Sequence, residues 1–282
     1  MSVDPAVPAQ LHALFPHGEV RGRVLPVALP PGRVVIAGGD HPRRPRYWVS
    51  DASSSPGLWS RLRDAHPGSG LWPLLLGVHD HGAWWAEPDD YDLDPMSSPG
   101  DHDPVALLAA WWDKNTQHDE DDMLTPAERS AVTAPYGRDW PGPAPALTPS
   151  AEPERTADRL ADDLLDGYPD ARLALVAAGS GAEALAVAGW DGPANHTGDT
   201  GKVAAVLRDW EERFGVRVVA AQGATLAVSV AAPPTDLDQA LRVAAEHFAF
   251  CPDNIWQGDA PFTLAGYAER LVGAHFWGFW WD

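Results

Sequence analysis

The chain runs to His275-Phe276-Trp277-Gly278-Phe279-Trp280-Trp281-Asp282, which places three Trp and two Phe in its last eight residues. Terminal segments usually fray, so an ending this apolar predicts a strand or cap that completes a core. In a strand, Trp277, Phe279 and Trp281 point to one side and Phe276 and Trp280 to the other. The first set is expected to close the core. The second is where this segment could line a site if no helix covers it, with Asp282 and the terminal carboxylate beside it.

With 282 residues, 45% of them hydrophobic, the chain can bury roughly three quarters of its unfolded surface in one large or two moderate domains. The 40 acidic against 20 basic residues give a net charge of −20. That field repels polyanions, so neither nucleic acid nor a membrane surface is an expected partner. Cys251 is the only cysteine, which rules out an internal disulfide and fits a reducing compartment. The first residues lack a basic or apolar leader pattern and no apolar run approaches a membrane span, so a cytoplasmic location is expected.

Prolines at 135, 141, 143, 145, 149 and 153 forbid a helix or central strand and suggest a linker over residues 135–155. An N-terminal α/β region then covers residues 1–134 and a C-terminal domain residues 156–282. In the first, short strands are expected at Arg33–Ile36 and Tyr47–Ser50, a helix at Gly57–Ala65, a buried strand at Leu71–Val78 containing Pro73, and a helix at Pro104–Lys114. In the second, Thr156 can cap a helix, Arg172–Ala177 reads as a strand, and Thr200–Phe214 carries an apolar stripe that stops at Gly215. Val216–Ala221 and Ala224–Val230 flank a tight turn, as in a hairpin. Thr235-Asp-Leu-Asp238 has capping-box form and opens a helix with Leu237, Leu241, Ala244 and Phe248 inward. Thr263 caps a last helix before the aromatic tail. The class is α+β: a small mixed or antiparallel sheet with helices on one face.

Trp210-Glu-Glu-Arg-Phe-Gly215, Ala244-Ala-Glu-His-Phe-Ala-Phe-Cys-Pro-Asp253, Gln257 and Phe279-Trp-Trp-Asp282 together resemble domain-of-unknown-function family 4253, a bacterial family, over about residues 155–282. Gly70–Leu76 and Asp101–Pro104 resemble the N-terminal part of longer actinobacterial members. The resemblance implies a fold and candidate positions, and no reaction.

The resemblance draws attention to a polar set: Asn195, His196, Glu246, Cys251, Asp253, Gln257 and Asp282. Catalytic candidates within it are Glu246, Cys251, Asp253 and His196, since a carboxylate beside a His or Cys can serve as base and nucleophile. On its helix Glu246 lies opposite the apolar stripe, facing solvent or another element. It can equally pair with Arg242 at i,i+4 or anchor the next loop. Cys251 beside Pro252 can equally be a buried small hydrophobe. No phosphate loop appears, and no cofactor is expected. His79-Asp80-His81 and Asp101-His102-Asp103 lack zinc-site spacing. Asp90, Asp92, Asp94 and Asp101 follow calcium-loop positions, but Pro95 replaces the glycine turn. No metal is expected.

His79 to Met123 holds 13 acidic residues against Lys114 alone, interleaved with Trp84, Trp85, Tyr91, Trp111 and Trp112. Neighbouring tryptophans cannot both face one core, so one of each pair is expected at solvent, another domain or a partner. Trp84, Trp85, Asp89, Asp90, Asp92, Trp111, Trp112 and Asp282 are therefore the candidate binding surface for a basic protein. An immunity or inhibitor role against a nuclease-like toxin fits that field. A hydrolase or transferase closed by the aromatic tail, and a structural or assembly subunit, are the alternatives.

Overall fold

β-branched and leucine-rich runs scattered along the chain gather into one seven-stranded sheet. The computed structural model describes residues 6–15, 19–36, 44–78, 96–118 and 124–282. The strands are β1 (Gly32–Ile36), β2 (Pro45–Ser53), β3 (Leu71–Leu76), β4 (Arg172–Ala177), β5 (Val216–Gln222), β6 (Thr225–Val230) and β7 (Phe276–Trp280), in the order β1-β2-β4-β3-β5-β6-β7. Every neighbouring pair is antiparallel except β3 and β5, which meet in parallel at Leu75 and Ala220. The fold is α+β, with a mixed open sheet. β4, which follows the proline-rich segment, lies between β2 and β3, which precede it, so strands from both sides of that segment share one sheet.

Alternation along the strands sends their side chains into two cores. Leu173 and Leu175 of β4 join one core with Trp59 and Leu62 of α1 (Leu58–Ser69) and Leu160 of α4 (Pro153–Gly167). Ala174 and Val176 join the other, with residues of α2 (Pro104–Thr116), α5 (Gly181–Ala188), α6 (Thr200–Phe214), α7 (Leu237–Phe250) and α9 (Leu264–Leu271). Helices thus cover both faces of the sheet where one was expected. The short α3 (Pro126–Val132) and α8 (Asp253–Trp256) complete the α-helices among the described residues, which also hold 3-10 turns at Ala9–Leu14 and Pro99–Asp101. No described helix is long and apolar enough to cross a membrane.

Several local expectations shift by a few residues for identifiable reasons. α4 starts at Pro153 after Glu152, and Thr156 lies inside it, its hydroxyl donating to the Glu152 carbonyl at 3.1 Å. Asp236 rather than Thr235 caps α7, accepting from the Gln239 N–H at 2.9 Å, while Thr235 donates to the Gln239 side chain. Leu237, placed inward by periodicity, is 44% exposed because it is the first residue of that helix and lies beyond its packed length.

Trp111 and Trp112 are both buried, at 8% and 1% exposure, which corrects their assignment to a binding surface. Adjacent residues can both be core because α2 is covered on two sides. Trp112 meets Tyr136, Trp140 and Phe248, while Trp111 meets His196 and Phe250.

The proline-rich segment is itself docked rather than spanning open space. Leu147 N–H donates to the Arg213 carbonyl at 3.0 Å and Ser150 N–H to the Ala231 carbonyl at 2.9 Å. These bonds tie it to the end of α6 and the chain leaving β6.

Candidate functional site

Glu246 is fully buried on α7, and its carboxylate is occupied by four donors. Oε1 accepts from Ala144 N–H at 2.6 Å and Arg213 Nη1 at 2.8 Å; Oε2 accepts from Trp210 Nε1 at 2.6 Å and Arg213 Nη2 at 2.7 Å. Arg213 also pairs with Asp209 and donates to the Ala144 carbonyl at 2.7 Å. Burial works against the guanidinium charge, but Glu246 and Asp209 more than offset it and hold the proton more firmly than usual. The face of α7 opposite the apolar stripe therefore meets α6 and the proline-rich segment. Glu246 is the hub of a buried ion pair; its partner is Arg213 rather than Arg242.

Cys251 lies at the end of α7, one helical turn beyond His247. Its thiol donates to the Trp280 carbonyl at 2.9 Å and contacts Asn254 Oδ1 at 3.4 Å. Burial pushes that thiol well above its ordinary range, the opposite of an activated nucleophile. Asn254 uses its whole amide. Nδ2 donates to the Gly278 carbonyl at 2.7 Å and to Tyr267 Oη at 3.1 Å, while Oδ1 also accepts from Trp280 N–H at 3.1 Å. Tyr267 Oη in turn meets His247 Nδ1 at 3.0 Å, and burial raises the phenol and lowers His247 to about 3. His247 stays neutral, enclosed by Trp210, Trp277 and Phe279, with no hydrogen-bond partner for its buried Nε2 among the described residues.

His196 sits elsewhere, against Trp111 at 5.0 Å, and burial with nearby Lys114 lowers it to about 4. Asn195 Nδ2 reaches the Asp282 carbonyl at 2.5 Å, and Asp282 N–H donates to Asp253 Oδ2 at 3.2 Å. Gln257 approaches Asp253 Oδ1 at 3.5 Å. Burial raises the Asp253 carboxyl, partly opposed by the Asp282 N–H. Of the polar set, Asn195, Asp253, Gln257 and Asp282 converge at the end of β7, with Cys251 linked to them through the neighbouring Asn254. Glu246 is committed to Arg213 and His196 to the Trp111 face, so the catalytic candidates share no reacting centre.

β7 itself shows the alternation its sequence implies. Trp277, Phe279 and Trp281 are buried, while Phe276 and Trp280 are 45% and 40% exposed. The strand is the sheet's last, paired with β6 through Leu226↔Phe279 and Val228↔Trp277. Trp84, Trp85, Asp89, Asp90 and Asp92, together with His79, Asp80, His81 and Asp94, lie outside the described residues.

The triplet Asp101-His102-Asp103 divides. Asp103 caps α2, accepting from Val105 N–H at 2.9 Å, while His102 Nε2 lies 2.5 Å from Ser97 Oγ. Ser97 Oγ donates to Asp199 Oδ2 at 2.7 Å. This Ser, His and Asp do not form a hydrolytic triad, because the carboxylate holds the hydroxyl instead of orienting the far nitrogen of the imidazole. Asp199 also caps α6 through Gly201 N–H at 3.0 Å, and a Cβ on Gly201 would meet the Ser97 carbonyl at 2.2 Å. The cluster closes the chain tightly over the start of α6. Among the described residues no three His, Cys, Asp or Glu side chains are placed to hold a metal ion.

Sequence periodicity missed Asn254, Tyr267 and Arg213 as organisers. Arg213 and Asn254 fall in or next to the quoted motifs, but their partners lie tens of residues away. Residues 172–282, from β4 to β7, match the family model described as a domain of unknown function, DUF4253. No curated protein and no solved structure matches the chain.

Proposed function

Starting from a chain whose residues 172–282 belong to the DUF4253 family, we propose a protein-binding module that engages a basic protein through the exposed face of β7, in an immunity or inhibitor role. The observation that carries this reading is the pair Phe276 and Trp280. They stand out from an edge strand whose opposite side chains are core, with Asp253 and Asp282 at the strand's end. Two large aromatics on one strand face give up favourable burial, and tryptophan is among the residue types most enriched as interface anchors. A net charge of −20 favours a cationic partner and speeds its encounter. A catalytic reading through Glu246, Cys251, Asp253 and His196 gains no support, since the polar atoms of the first three are committed to separate contacts, the thiol is held protonated, and His196 lies apart from them against Trp111.

The test is recovery of partners from the native host at low and high salt, with the wild-type chain and a Phe276→Ala/Trp280→Ala variant as bait. The expected result is a basic protein retained at low salt, released at high salt and lost with the variant; a purified sample of it should then bind the wild-type chain directly. Equal recovery by the two baits, or recovery insensitive to salt, would count against the reading.

A further inference from the structure

The backbone of β7 carries a second feature besides its side chains. Trp281 N–H and the His275 carbonyl point inward, to Ala224 and Val230. The N–H and C=O of a strand residue lie on one side, and they alternate along the strand. Phe276, Gly278 and Trp280 therefore direct their backbone groups to the outer edge of the sheet, and these same residues carry the exposed face.

At the Trp280 end that edge is filled by side chains. Asn254 accepts from Trp280 N–H and donates to the Gly278 carbonyl, and the Cys251 thiol donates to the Trp280 carbonyl. One carboxamide thus supplies the acceptor and donor that a neighbouring strand would supply. It is carried on the four-residue α8, and its backbone partners keep extended geometry. The Phe276–Gly278 end is exposed. Exposed edges attract further strands, and native proteins commonly protect them. Here the protection is the Asn254 carboxamide, with the Cys251 thiol on the Trp280 carbonyl, beside two aromatic anchors and two carboxylates.

We propose that β7 is a gated docking edge: an extended basic segment of the partner adds as a strand along Phe276–Trp280, taking the ladder positions that Asn254 holds in the free protein. This rests on the binding role proposed above and specifies its mode, β-strand addition. The segment's backbone pairs with Gly278 and Trp280, its alternate side chains cover Phe276 and Trp280, and its positive charge meets Asp253 and Asp282. Because Asn254 must leave, the free protein binds below its intrinsic affinity, and removing the gate should strengthen binding.

The experiment titrates the full chain by calorimetry, at low salt, with an eight-residue peptide of alternating Lys and Val. Two further peptides carry N-methyl groups on every second residue, one in each phase. Their charge is unchanged, but one phase cannot donate to the β7 edge. The expected result is a loss of roughly tenfold or more in one phase and less than about twofold in the other. Asn254→Ala, verified as folded, should bind the unmodified peptide roughly threefold tighter or better. The wild-type comparison stands even if that variant is unstable. If all three peptides bind alike, strand addition is wrong while capture of a basic partner survives. If none binds and no basic partner is recovered from the host, the binding role fails with it.

Discussion

Replacing Glu246 by Ala removes the acceptor of four donors at once: both Arg213 nitrogens, the Trp210 indole and the Ala144 amide. Breaking a buried ion pair from one side costs about 3–5 kcal/mol, because the remaining charge is stranded. Each neutral donor left without an acceptor adds about 1–3 kcal/mol, although the terms overlap and Asp209 still supports Arg213. A total of about 5 kcal/mol is a large part of the ~5–15 kcal/mol that holds a native protein together. For a chain of this size it corresponds to a fall in Tm of about 10–20 °C. Glu246→Gln, which keeps the shape and loses the charge, should fall between this variant and wild type. Asp253→Asn makes the contrast. Burial already disfavours the Asp253 charge, so neutralising it should shift stability by less than about 1 kcal/mol. Thermal and urea unfolding of the three variants read this directly. Glu246→Ala melting within about 2 °C of wild type would refute the assignment of Glu246 as a structural hub and return it to the list of functional carboxylates.

His247, held at about 3, and His196, held at about 4, are neutral in both states above pH 6.5. Below it the unfolded chain takes up protons that the folded chain refuses, so stability falls with pH by about 1.4 kcal/mol per unit for each ring until the folded values are reached. By pH 4.5 His247 alone should have cost about 3 kcal/mol relative to pH 7, partly offset overall by the raised carboxyls of Asp191, Glu211 and Asp253. His247→Asn should flatten that slope in denaturant titrations, and an unchanged slope would contradict the burial. Deleting residues 275–282 removes Trp277, Phe279 and Trp281 from the core; at about 3–5 kcal/mol for each lost aromatic, circular dichroism should show no cooperative fold. Asp199→Ala loses the α6 cap and the Ser97 contact together and should cost about 1–2 kcal/mol, whereas a neutral result would mean that the turn before α6 holds itself.

What could be read from the sequence was whatever depends on one element at a time. The alternation of Trp277, Phe279 and Trp281 against Phe276 and Trp280, the β5–β6 hairpin, and the α6 stripe ending at Gly215 are all local periodicities, and they hold. Contacts on the second side of an element could not be read in this way. Glu246 lies opposite the stripe of α7, yet it meets Arg213 at 33 and Ala144 at 102 residues' separation. The same blindness made Trp111 and Trp112 look like rivals for one core. The position of β4 between β2 and β3 was equally out of reach, because alternation says which face a residue takes and nothing about which strand lies beside it. At the candidate site, Asp253 and Asp282 were visible as charges. Asn254, which closes the β7 edge, has no distinguishing pattern; only its bonds to Gly278 and Trp280 reveal it.

The most direct measurement is hydrogen exchange on the full chain, alone and saturated with the basic protein recovered from the host. New protection is expected on the amides of Phe276 and Gly278, while the Trp280 amide trades its Asn254 acceptor for the partner's, and the segment around Asn254 should exchange faster as its side chain leaves the edge. Protection confined to other surfaces, with the Phe276 and Gly278 amides unchanged, would contradict docking at β7.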